Sequence, residues 1–476
     1  MELFRVTFLP QNLTVSVPAG TTVLRAQTAA GLRPDAPCAG HGTCGKCRVV
    51  LEGREVLACQ TPVDRDMTLY TDCSDALTIL TGGLSAAATP DGCDEYVLAC
   101  DIGTTTVVVY LLDGHSGALL ASAGGVNPQR RFGADVISRI DHALRGGAQE
   151  LQDSLRACLR NLCADAAARA GIDPAAITRA AIAGNTAMHH LLLGIDPRPL
   201  VTPPYMSAVR HAAEIGCARV LPNIAGFVGG DNVGCMVATR FDQREELTLL
   251  LDIGTNGELV LGDGHRRVAC STAAGPAFEG ARISCGMAGA AGAVDHVFRE
   301  KGALSCSVIG GGEPKGLCGS GLMDLVAALL DAGVIDESGR MEAGTFSLCP
   351  NVKLTQKDVR EVQLAKAAIR AGIELLCAHL GKRPEDIQTV LLAGAFGSHM
   401  LPASACRIGM IPPVLLDRIQ VIGNAAGAGA RLCALSAREF AYSQTLAAGT
   451  EFLELAGLPD FRERYVDALE FEEELP

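Results

Sequence analysis

Short runs of alternating apolar and polar residues open the chain. Glu2–Phe8 and Leu13–Val17 follow the two-residue period of β-strands, and Pro10–Asn12 predicts a turn between them. Thr22–Ala30 has the pattern of a short capped helix, and Arg48–Leu51 is again strand-like. The pattern therefore predicts a small α+β domain with a hairpin and one helix.

Two later segments repeat one another. Tyr96–Thr106 and Leu247–Gly257 each carry an apolar strand that ends in Asp-Ile-Gly-Thr, and a second strand-like run follows each, at Val107–Leu112 and Glu258–Leu261. One such turn is weak evidence, because glycine turns after strands are common. Two in one chain, both after apolar strands, predict two related α/β lobes.

Glycines mark two further changes from strand to helix. Thr389–Ser398 reads as a buried strand, a glycine turn and a helix, which leaves the backbone open to a ligand. Gly423–Ala430 follows the strand-like Ile419–Ile422, but neither a βαβ unit nor an acidic residue about twenty positions later accompanies it. We therefore expect no dinucleotide site there, and its small residues equally suit a closely packed helix.

Composition divides the chain. Residues 73–95 are rich in Ala, Gly, Ser, Thr, Pro and Asp, which is typical of a linker. Asp467–Glu474 is rich in carboxylates, which predicts a solvated tail. The predicted organisation is a small N-terminal domain at 1–72, a linker at 73–95, a first lobe at 96–240, a second lobe with a closing helix at 241–446, and a C-terminal acidic tail at 447–476.

The bulk properties limit the function. The 476 residues are 48% hydrophobic and 20% charged, as in a globular protein. A formal net charge of −13 argues against nucleic-acid binding, which needs a basic face. The first ten residues lack a secretory signal, and Asp101 and Asp252 interrupt the most apolar runs, so we expect a cytoplasmic protein without a membrane segment.

Four of the nineteen cysteines form a pattern. Cys38, Cys44 and Cys47 share a glycine-rich loop, and Cys59 follows a short strand. Glycine permits the positive backbone dihedral angles and close amide approach that a loop around a cluster needs. The C-x5-C-x2-C…C spacing is one residue longer than the plant-type pattern and predicts a four-cysteine [2Fe–2S] centre. Zinc is the alternative, although only Cys44 and Cys47 form the short knuckle that zinc sites usually pair.

The hairpin, helix and cysteine loop together resemble the β-grasp ferredoxin family. The short gap before Cys59 is similar to that in the [2Fe–2S] domains of molybdenum hydroxylases. The resemblance implies a ferredoxin-like N-terminal domain.

The repeated turns suit a polyphosphate. Carboxylates at strand ends hold Mg²⁺ through water, glycines admit backbone N–H groups to phosphate, and hydroxyls add neutral donors. The candidates are Asp101, Gly103, Thr104, Thr105 and Thr106; Asp252, Gly254, Thr255, Asn256 and Gly257; and, in the third glycine segment, Gly394, Ala395, Phe396 and Gly397. In this order they resemble the phosphate-1, phosphate-2 and adenosine motifs of the ASKHA superfamily (acetate and sugar kinases, Hsp70 and actin). The resemblance covers about Tyr96–Leu446 and implies ATP and Mg²⁺ as ligands.

A ferredoxin-like domain followed by an ASKHA-like domain is similar to the arrangement in the reductive activators of corrinoid proteins. Motifs that fit this family are Asn127–Gln129, Gly133–Val136, Ala183–His190, Gly229–Asp231 and Ser271–Gly280. The resemblance implies ATP-driven transfer of one electron from the cluster to a corrinoid protein of a methyltransferase system, which returns Co(II) to Co(I). It also implies an upstream low-potential electron donor, and a homodimer is one possible assembly.

Two expectations concern the partner. No Asp-x-His-x-x-Gly cobalamin signature occurs in the sequence, so the corrinoid belongs to the partner. We expect Cys270–Gly275 to face it, with Ser271 offering a hydroxyl to cobalt and Asp101 and Asp252 acting as the other catalytic candidates. Family members carry a middle domain after the linker, whereas here the first Asp-Ile-Gly-Thr turn follows the linker directly, which predicts that this domain is missing.

Two other functions stay open. A small-molecule kinase with an appended redox-sensing cluster would phosphorylate a metabolite whatever the oxidation state of the cluster. A passive carrier with nucleotide-binding lobes would transfer electrons without ATP. The dehydratase activators follow a similar logic, but they place a [4Fe–4S] cluster between subunits.

Overall fold

The computed structural model describes residues 3–9, 13–30, 32, 34, 36, 40, 42, 47–71, 84, 88–203, 205–254, 256–300 and 302–472. Three predicted site residues, Cys38, Cys44 and Thr255, lie outside these ranges. So do the predicted turn Pro10–Asn12 and most of the predicted linker.

The N-terminal domain is a mixed five-stranded sheet with one helix against it. Its elements are β1 (Leu3–Leu9), β2 (Leu13–Pro18), α1 (Val23–Ala29), β3 (Arg48–Leu51), β4 (Arg54–Leu57) and β5 (Met67–Thr71). The strand order is β2-β1-β5-β3-β4, in which β1 pairs antiparallel with β2 and parallel with β5. Thr22 caps α1, and Phe8 and Val23 are fully buried between helix and sheet. The predicted hairpin, capped helix and β-grasp fold are confirmed.

The first lobe is built on a six-stranded sheet of order β10-β11-β9-β6-β7-β8. Its elements are β6 (Tyr96–Ile102), β7 (Thr106–Asp113), β8 (Leu119–Val126), α2 (Val136–His142), α3 (Ala148–Ala170), β9 (Ile177–Gly184), α4 (Thr186–Leu193), α5 (Arg198–Val201), β10 (Ala213–Ile215), β11 (Ala218–Val220) and α6 (Gly230–Thr239). A π-helical turn at Ala143–Gly147 joins α2 to α3, and short 3-10 helices lie at Pro128–Arg131 and Pro174–Ala176.

The second lobe is built on a sheet of order β21-β20-β12-β13-β14-β22. Its elements are β12 (Thr248–Ile253), β13 (Gly257–Gly262), β14 (Arg267–Thr272), β15 (Ala293–Glu300), β16 (Ala303–Val308), β17 (Gly316–Leu317), α7 (Gly319–Asp331), β18 (Thr345–Cys349), β19 (Val352–Thr355), α8 (Gln356–His379), β20 (Thr389–Ala393), α9 (Gly394–His399), α10 (Pro402–Arg407), β21 (Ile419–Gly423), α11 (Ala425–Leu435), α12 (Ala437–Ala448), β22 (Thr450–Phe452) and α13 (Phe461–Asp467). Short 3-10 helices lie at Phe241–Gln243, Pro276–Glu279, Pro384–Asp386, Pro413–Arg418 and Leu455–Gly457.

The two lobes repeat one strand arrangement. In the first, β6 lies between antiparallel β7 and parallel β9, and in the second, β12 lies between antiparallel β13 and parallel β20. Asp101 and Asp252 are each the last residue but one of the central strand. The sequence repeat is therefore a repeat of the fold, and the two carboxylates occupy equivalent positions.

Helices α6, α11 and α12 lie between the two sheets. One apolar cluster joins Val108 and Ala181 of the first sheet to Leu250 and Leu391 of the second through side chains of these three helices. A Cβ on Gly429 of α11 would lie 2.0 Å from the carbonyl oxygen of Gly234 of α6. The small residues that follow β21 thus allow two helix backbones to touch, as the sequence suggested.

The C-terminal segment is part of the second lobe. Strand β22 pairs with β14, and the side chain of Phe471 is 4% exposed. Arg370 contacts the carboxylate of Glu472 at 2.9 Å, and Arg407 donates to its main-chain oxygen at 2.5 Å. The predicted solvated tail at Asp467–Glu474 is therefore wrong as far as Glu472, because an aromatic anchor and distant arginines hold the segment against the lobe.

No helix in the described ranges combines the length and the apolar character that a bilayer span requires.

Candidate nucleotide site and cluster site

The first Asp-Ile-Gly-Thr turn connects β6 to β7. The N–H of Gly103 donates to the carbonyl of Thr106 at 2.9 Å, which closes the turn. Asn127 donates to the carbonyl of Gly103 at 2.8 Å, and Arg139 donates to that of Thr104 at 2.6 Å. One of the motifs that resemble the corrinoid activators, Asn127–Gln129, thus braces the turn together with Arg139.

Asn185 supports the same turn from α4. Its side-chain oxygen accepts from the N–H of Met188 and caps the helix, while its Nδ2 donates to the hydroxyl of Thr104 at 2.9 Å. Arg139 is fully buried, and burial lowers its pKa to about 9. Such well-bonded polar supports fix the geometry of a turn more tightly than packing alone.

The second turn connects β12 to β13. The N–H of Gly254 donates to the carbonyl of Asn256 at 2.9 Å. Gly394 approaches it from the end of β20, where a Cβ would lie 2.4 Å from Oδ1 of Asp252. The φ of Gly394 is +84°, so this position needs glycine both for its backbone conformation and for the space it leaves.

The two turns and the third glycine segment face one cavity of about 670 Å³ between the lobes. Its lining includes eleven of the predicted nucleotide-site residues: Asp101, Gly103, Thr104, Thr105, Thr106, Asp252, Gly254, Asn256, Gly394, Ala395 and Phe396. Gly257 and Gly397 lie outside the lining and serve packing, because a Cβ there would meet Thr272 at 2.7 Å and Leu392 at 3.0 Å, respectively. The common cleft that the repeated motifs require is thus present.

Further carboxylates line the cavity, among them Asp231 and Glu258. Asp231 stands in the first turn of α6, and Glu258 follows the second turn directly, opposite Asp252 on the neighbouring strand. Burial, with the charge of Asp252 next in effect, raises the pKa of Asp231 to about 7. Burial, followed by the charge of Asp101, raises that of Asp252 to about 7. Burial also raises the pKa of Glu258 well above its usual range.

This acidic cluster fits a ligand that brings positive charge. Burial is the largest cause of the raised pKa of Asp231, Asp252 and Glu258, so a bound cation would stabilise the ionised form of each carboxyl group. No group of three or more described His, Cys, Asp or Glu residues is arranged to hold a metal ion by itself. Mg²⁺ commonly keeps several waters and shares its site with substrate phosphates, so both observations fit a magnesium–nucleotide complex.

Two hydrogen bonds cross between the halves of the chain at this cavity. Asn424, the residue before α11, donates to Asp101 at 2.8 Å, and burial raises the pKa of Asp101 to about 6 against the effect of this bond. Thr105 donates to Glu279 at 3.1 Å. No local pattern indicated Asn424 as a site residue, because its neighbours resemble a helix of small residues.

An aromatic pair forms another wall. The rings of Phe278 and Phe396 are stacked with centroids 5.1 Å apart and planes inclined by 15°. Gly319, the first residue of α7, lies so close that a Cβ would be 2.0 Å from the carbonyl oxygen of Phe278. This wall gives the cavity an apolar side, as a nucleoside site requires.

Ser271 does not line the cavity. It is half-buried on β14 and stands directly opposite Glu258 of β13. Because paired residues of antiparallel strands point to the same face of a sheet, its hydroxyl lies on the face of Glu258, one strand further out.

The cluster loop is described in part. Cys47 and Cys59 are 3% and 7% exposed and belong to the domain core, and Ala58 donates to the carbonyl of Cys47 at 2.7 Å. Gly40 and Gly42 have φ values of +89° and +75°, and a Cβ on Gly40 would lie 3.8 Å from Cβ of Cys59. Gly40 and Gly42 thus have the predicted positive dihedral angles, and Gly40 lies close to Cys59, which fits a cluster site beside this cysteine.

Three family descriptions match consecutive parts of the chain. The 2Fe-2S iron-sulfur cluster binding domain matches residues 6–67, the RACo middle region matches 96–244, and the C-terminal domain of RACo, the ASKHA domain, matches 246–475. The expectation of a missing middle domain is therefore wrong, because the segment read as the first lobe is itself that middle region.

Individual relatives agree with this assignment. The corrinoid activation enzyme RamQ of Eubacterium limosum is 35% identical over 413 residues, which cover 78% of this chain and 69% of the relative. A Co(II) methylated amine-specific corrinoid protein reductase of Methanosarcina barkeri is 28% identical over 384 residues, which cover 71% and 69%. The solved structure of a reductive activator for a corrinoid, iron-sulfur protein is 28% identical, with 98% of both chains covered and a TM-score of 0.71. The chain therefore belongs to the family of reductive activators of corrinoid proteins.

Proposed function

We propose that this protein uses ATP hydrolysis to drive one electron from its [2Fe–2S] centre to the Co(II) of a partner corrinoid protein, which yields Co(I). The observation that carries this proposal is the presence, in one chain, of a ferredoxin fold with two buried cysteines and a carboxylate-lined cleft between two lobes. Relatives named for corrinoid activation and corrinoid protein reduction support the identity of the acceptor.

Energetics explain why ATP is needed. A plant-type cluster has a potential of about −400 mV, and we expect the Co(II)/Co(I) couple of the partner to lie lower. A gap of about 0.1 V corresponds to about 2.3 kcal/mol for one electron. ATP can supply this difference only by favouring one conformation of the complex over another. The cleft between the lobes is the element that can open and close.

We assign the phosphate chain to the two turns and the nucleoside to the third segment. The backbone N–H groups of Thr104–Thr106 and Asn256 would donate to phosphate oxygens, and Gly394–Phe396 would lie along the nucleoside. Mg²⁺, when bound, would neutralise the carboxylates and polarise the terminal phosphate. Asp101 and Asp252 would hold the ion.

Asp231 is our candidate for the general base. Its pKa of about 7 suits a group that accepts a proton from the attacking water near neutral pH, and its carboxylate faces the same cavity as the two turns. The N–H of Asn232 donates to this carboxylate at 2.8 Å and orients it.

On the partner side, we propose a corrinoid protein of a methyltransferase system, an upstream low-potential electron donor and a cytoplasmic location, with a homodimer as one assembly. Ser271, which is half-buried on β14, is the proposed contact to cobalt. A Ser271→Ala variant that activates the partner at the normal rate would remove this assignment.

The test compares Asp252, near the end of β12, with Asp263, in the turn between β13 and β14. Asp252→Asn should abolish ATP hydrolysis and its stimulation by Co(II) corrinoid protein. Asp263→Asn should keep both. Stimulation by the corrinoid protein supports the proposal. If the corrinoid protein does not change the ATPase rate and electron transfer proceeds without ATP, the protein is instead a passive carrier. Phosphorylation of a metabolite would identify a kinase.

A further inference from the structure

Glu279 of the second lobe reaches across the cavity to the first Asp-Ile-Gly-Thr turn. Its carboxylate accepts a hydrogen bond of 3.1 Å from the hydroxyl of Thr105, although 174 positions separate the two residues. Both residues are half-buried and both line the cavity. A carboxylate of one lobe is thus bonded to the turn of the other lobe that we assign to phosphate.

Two arginines of the first lobe lie near this carboxylate. Arg130 lines the cavity, and Arg139 donates to the carbonyl of Thr104, the residue before Thr105. Burial lowers the pKa of Arg139 most, the charge of Arg130 lowers it further, and the charge of Glu279 raises it. The first turn therefore lies in a cationic environment that suits an anion, and Glu279 already places one anion there.

The backbone of Glu279 is fixed in the second lobe. Glu279 ends a short 3-10 helix, and the residue before it, Phe278, is 4% exposed and stacks on Phe396. Gly280 follows with φ of +78°, and a Cβ there would lie 2.7 Å from neighbouring backbone. The carboxylate can therefore leave Thr105 by rotation of its own side chain, while the main chain stays with the aromatic wall.

The positions of the three ligand segments indicate which phosphate lies nearest to Glu279. Asp252, which precedes the second turn, pairs with Ala393, the residue before Gly394, so the second turn and the nucleoside segment lie side by side in one sheet. The first turn belongs to the other sheet, across the cavity. A nucleotide that contacts all three segments would reach the first turn with the far end of its phosphate chain. The terminal phosphate of ATP would therefore meet Glu279, whereas ADP, which is one phosphate shorter, would end before it.

We propose that Glu279 is a specificity-determining residue whose carboxylate opposes the terminal phosphate of ATP but not the shorter phosphate chain of ADP. The hydroxyl that binds Glu279 and an N–H that we assign to phosphate both belong to Thr105, so carboxylate and phosphate would lie side by side. Like charges repel more strongly in a partly buried site than in water. The carboxylate must therefore turn away from Thr105 before the terminal phosphate binds, and Glu279 lowers the affinity for ATP relative to ADP. The inference rests on the proposed function, because it requires ATP in this cleft.

The test measures binding rather than turnover. Calorimetric titration of the full-length protein with a non-hydrolysable magnesium–ATP analogue, and separately with magnesium–ADP, compares the wild type with Glu279→Gln. This change removes the charge but keeps an oxygen that can accept from Thr105. We expect the variant to bind the analogue about tenfold more tightly, because the repulsion is relieved, and to bind ADP within about twofold of the wild type.

Two further variants make the comparison secure. Glu342→Gln is the matched control, because Glu342 is exposed on the same lobe and lies outside the cavity lining. It removes the same charge and should bind both nucleotides as the wild type does. If Glu279→Gln does not fold, Glu279→Ala takes its place, with the same expected gain for the analogue.

The outcomes separate this proposal from the proposed function. An unchanged affinity of Glu279→Gln for the analogue overturns the proposal, and so does an equal gain for the analogue and for ADP. Weaker binding of the analogue also overturns it, because the carboxylate would then help to hold the magnesium complex. Each of these results applies whether or not ATP drives cobalt reduction. Conversely, the expected affinities without ATP-driven formation of Co(I) would count against the proposed function alone.

Discussion

Asn424 donates a hydrogen bond of 2.8 Å to the carboxylate of Asp101, although 323 positions separate them in the chain. The same side chain lies 3.2 Å from the hydroxyl of Tyr110, and its oxygen accepts from the N–H of Gly427 at 2.7 Å. Asn424 is therefore both the cap of α11 and the partner of a nucleotide-site carboxylate. One residue thus couples helix packing to the geometry of the cleft.

Asn424→Ala should weaken both folding and catalysis. Loss of the cap and of a hydrogen bond to a carboxylate should lower the free energy of unfolding by about 2 kcal/mol. Because Asp101 loses its orientation, ATP hydrolysis should fall about tenfold. Denaturant titration and steady-state ATPase assays measure the two effects. Asn351→Ala, in an exposed turn, should change neither, and normal hydrolysis by Asn424→Ala would show that the contact is dispensable.

A pair of glycines separates backbone strain from a clash. Gly394 and Gly381 both have positive φ, but a Cβ meets Asp252 at 2.4 Å at the first and nothing within 4 Å at the second. The strained backbone alone should cost about 1 kcal/mol of stability when alanine replaces either glycine. We expect only Gly394→Ala to lose nucleotide binding and hydrolysis, measured by calorimetry and ATPase assay. Equal activity of the two variants would contradict the assigned contact with Asp252.

The raised carboxyl pKa values predict a pH dependence of stability. Asp231 and Asp252 have pKa values of about 7 in the folded protein, whereas an unfolded aspartate titrates near about 4. Between these values the folded state binds more protons, so its stability falls as pH rises from about 4 to about 7.

Melting temperatures of the nucleotide-free protein from about pH 5 to about pH 8 test this. The melting temperature of Asp252→Asn should rise relative to the wild type across the range. The melting temperature of Asp263→Asn should run parallel to that of the wild type over this pH range. The reason is that the pKa of Asp263 is lowered in the folded protein, chiefly by the N–H of Arg266. A parallel course for Asp252→Asn would show that folding does not raise the pKa of Asp252.

The cluster assignment predicts a difference between two cysteines. Cys59 is buried in the domain core, while Cys93 is exposed within the predicted linker at 73–95. After anaerobic reconstitution, Cys59→Ser should lose the visible absorption of a [2Fe–2S] centre and most of its iron, because four thiolates are required. Cys93→Ser should keep both. Zinc in place of iron in the purified protein would refute the cluster.

Sequence alone revealed features that depend on local patterns. The two Asp-Ile-Gly-Thr turns were readable because strand, carboxylate and glycine follow one another directly, and the structure places Asp101 and Asp252 at equivalent strand ends. Asp231 and Glu258 were missed as site residues, since neighbours that come from separate strands and helices determine their role.

The errors have a similar cause. The C-terminal segment looked solvated because its carboxylates outnumber one phenylalanine. Yet Phe471 is buried, and Arg370 and Arg407, 102 and 65 positions upstream, hold Glu472. The middle domain seemed missing because its first strand carries the phosphate-1 motif, so that one segment matched two descriptions. Long-range contacts of this kind leave no local pattern in a single sequence.

The most direct measurement of the central claim follows the oxidation state of cobalt. Reconstituted protein, a low-potential reductant and a Co(II) corrinoid protein are mixed without oxygen, and visible absorption is recorded with and without magnesium–ATP. We predict that Co(I) accumulates when the wild-type protein is given ATP. Co(I) should not accumulate when ATP is left out, or when Asp252→Asn replaces the wild type. Equal formation of Co(I) without ATP would contradict the account.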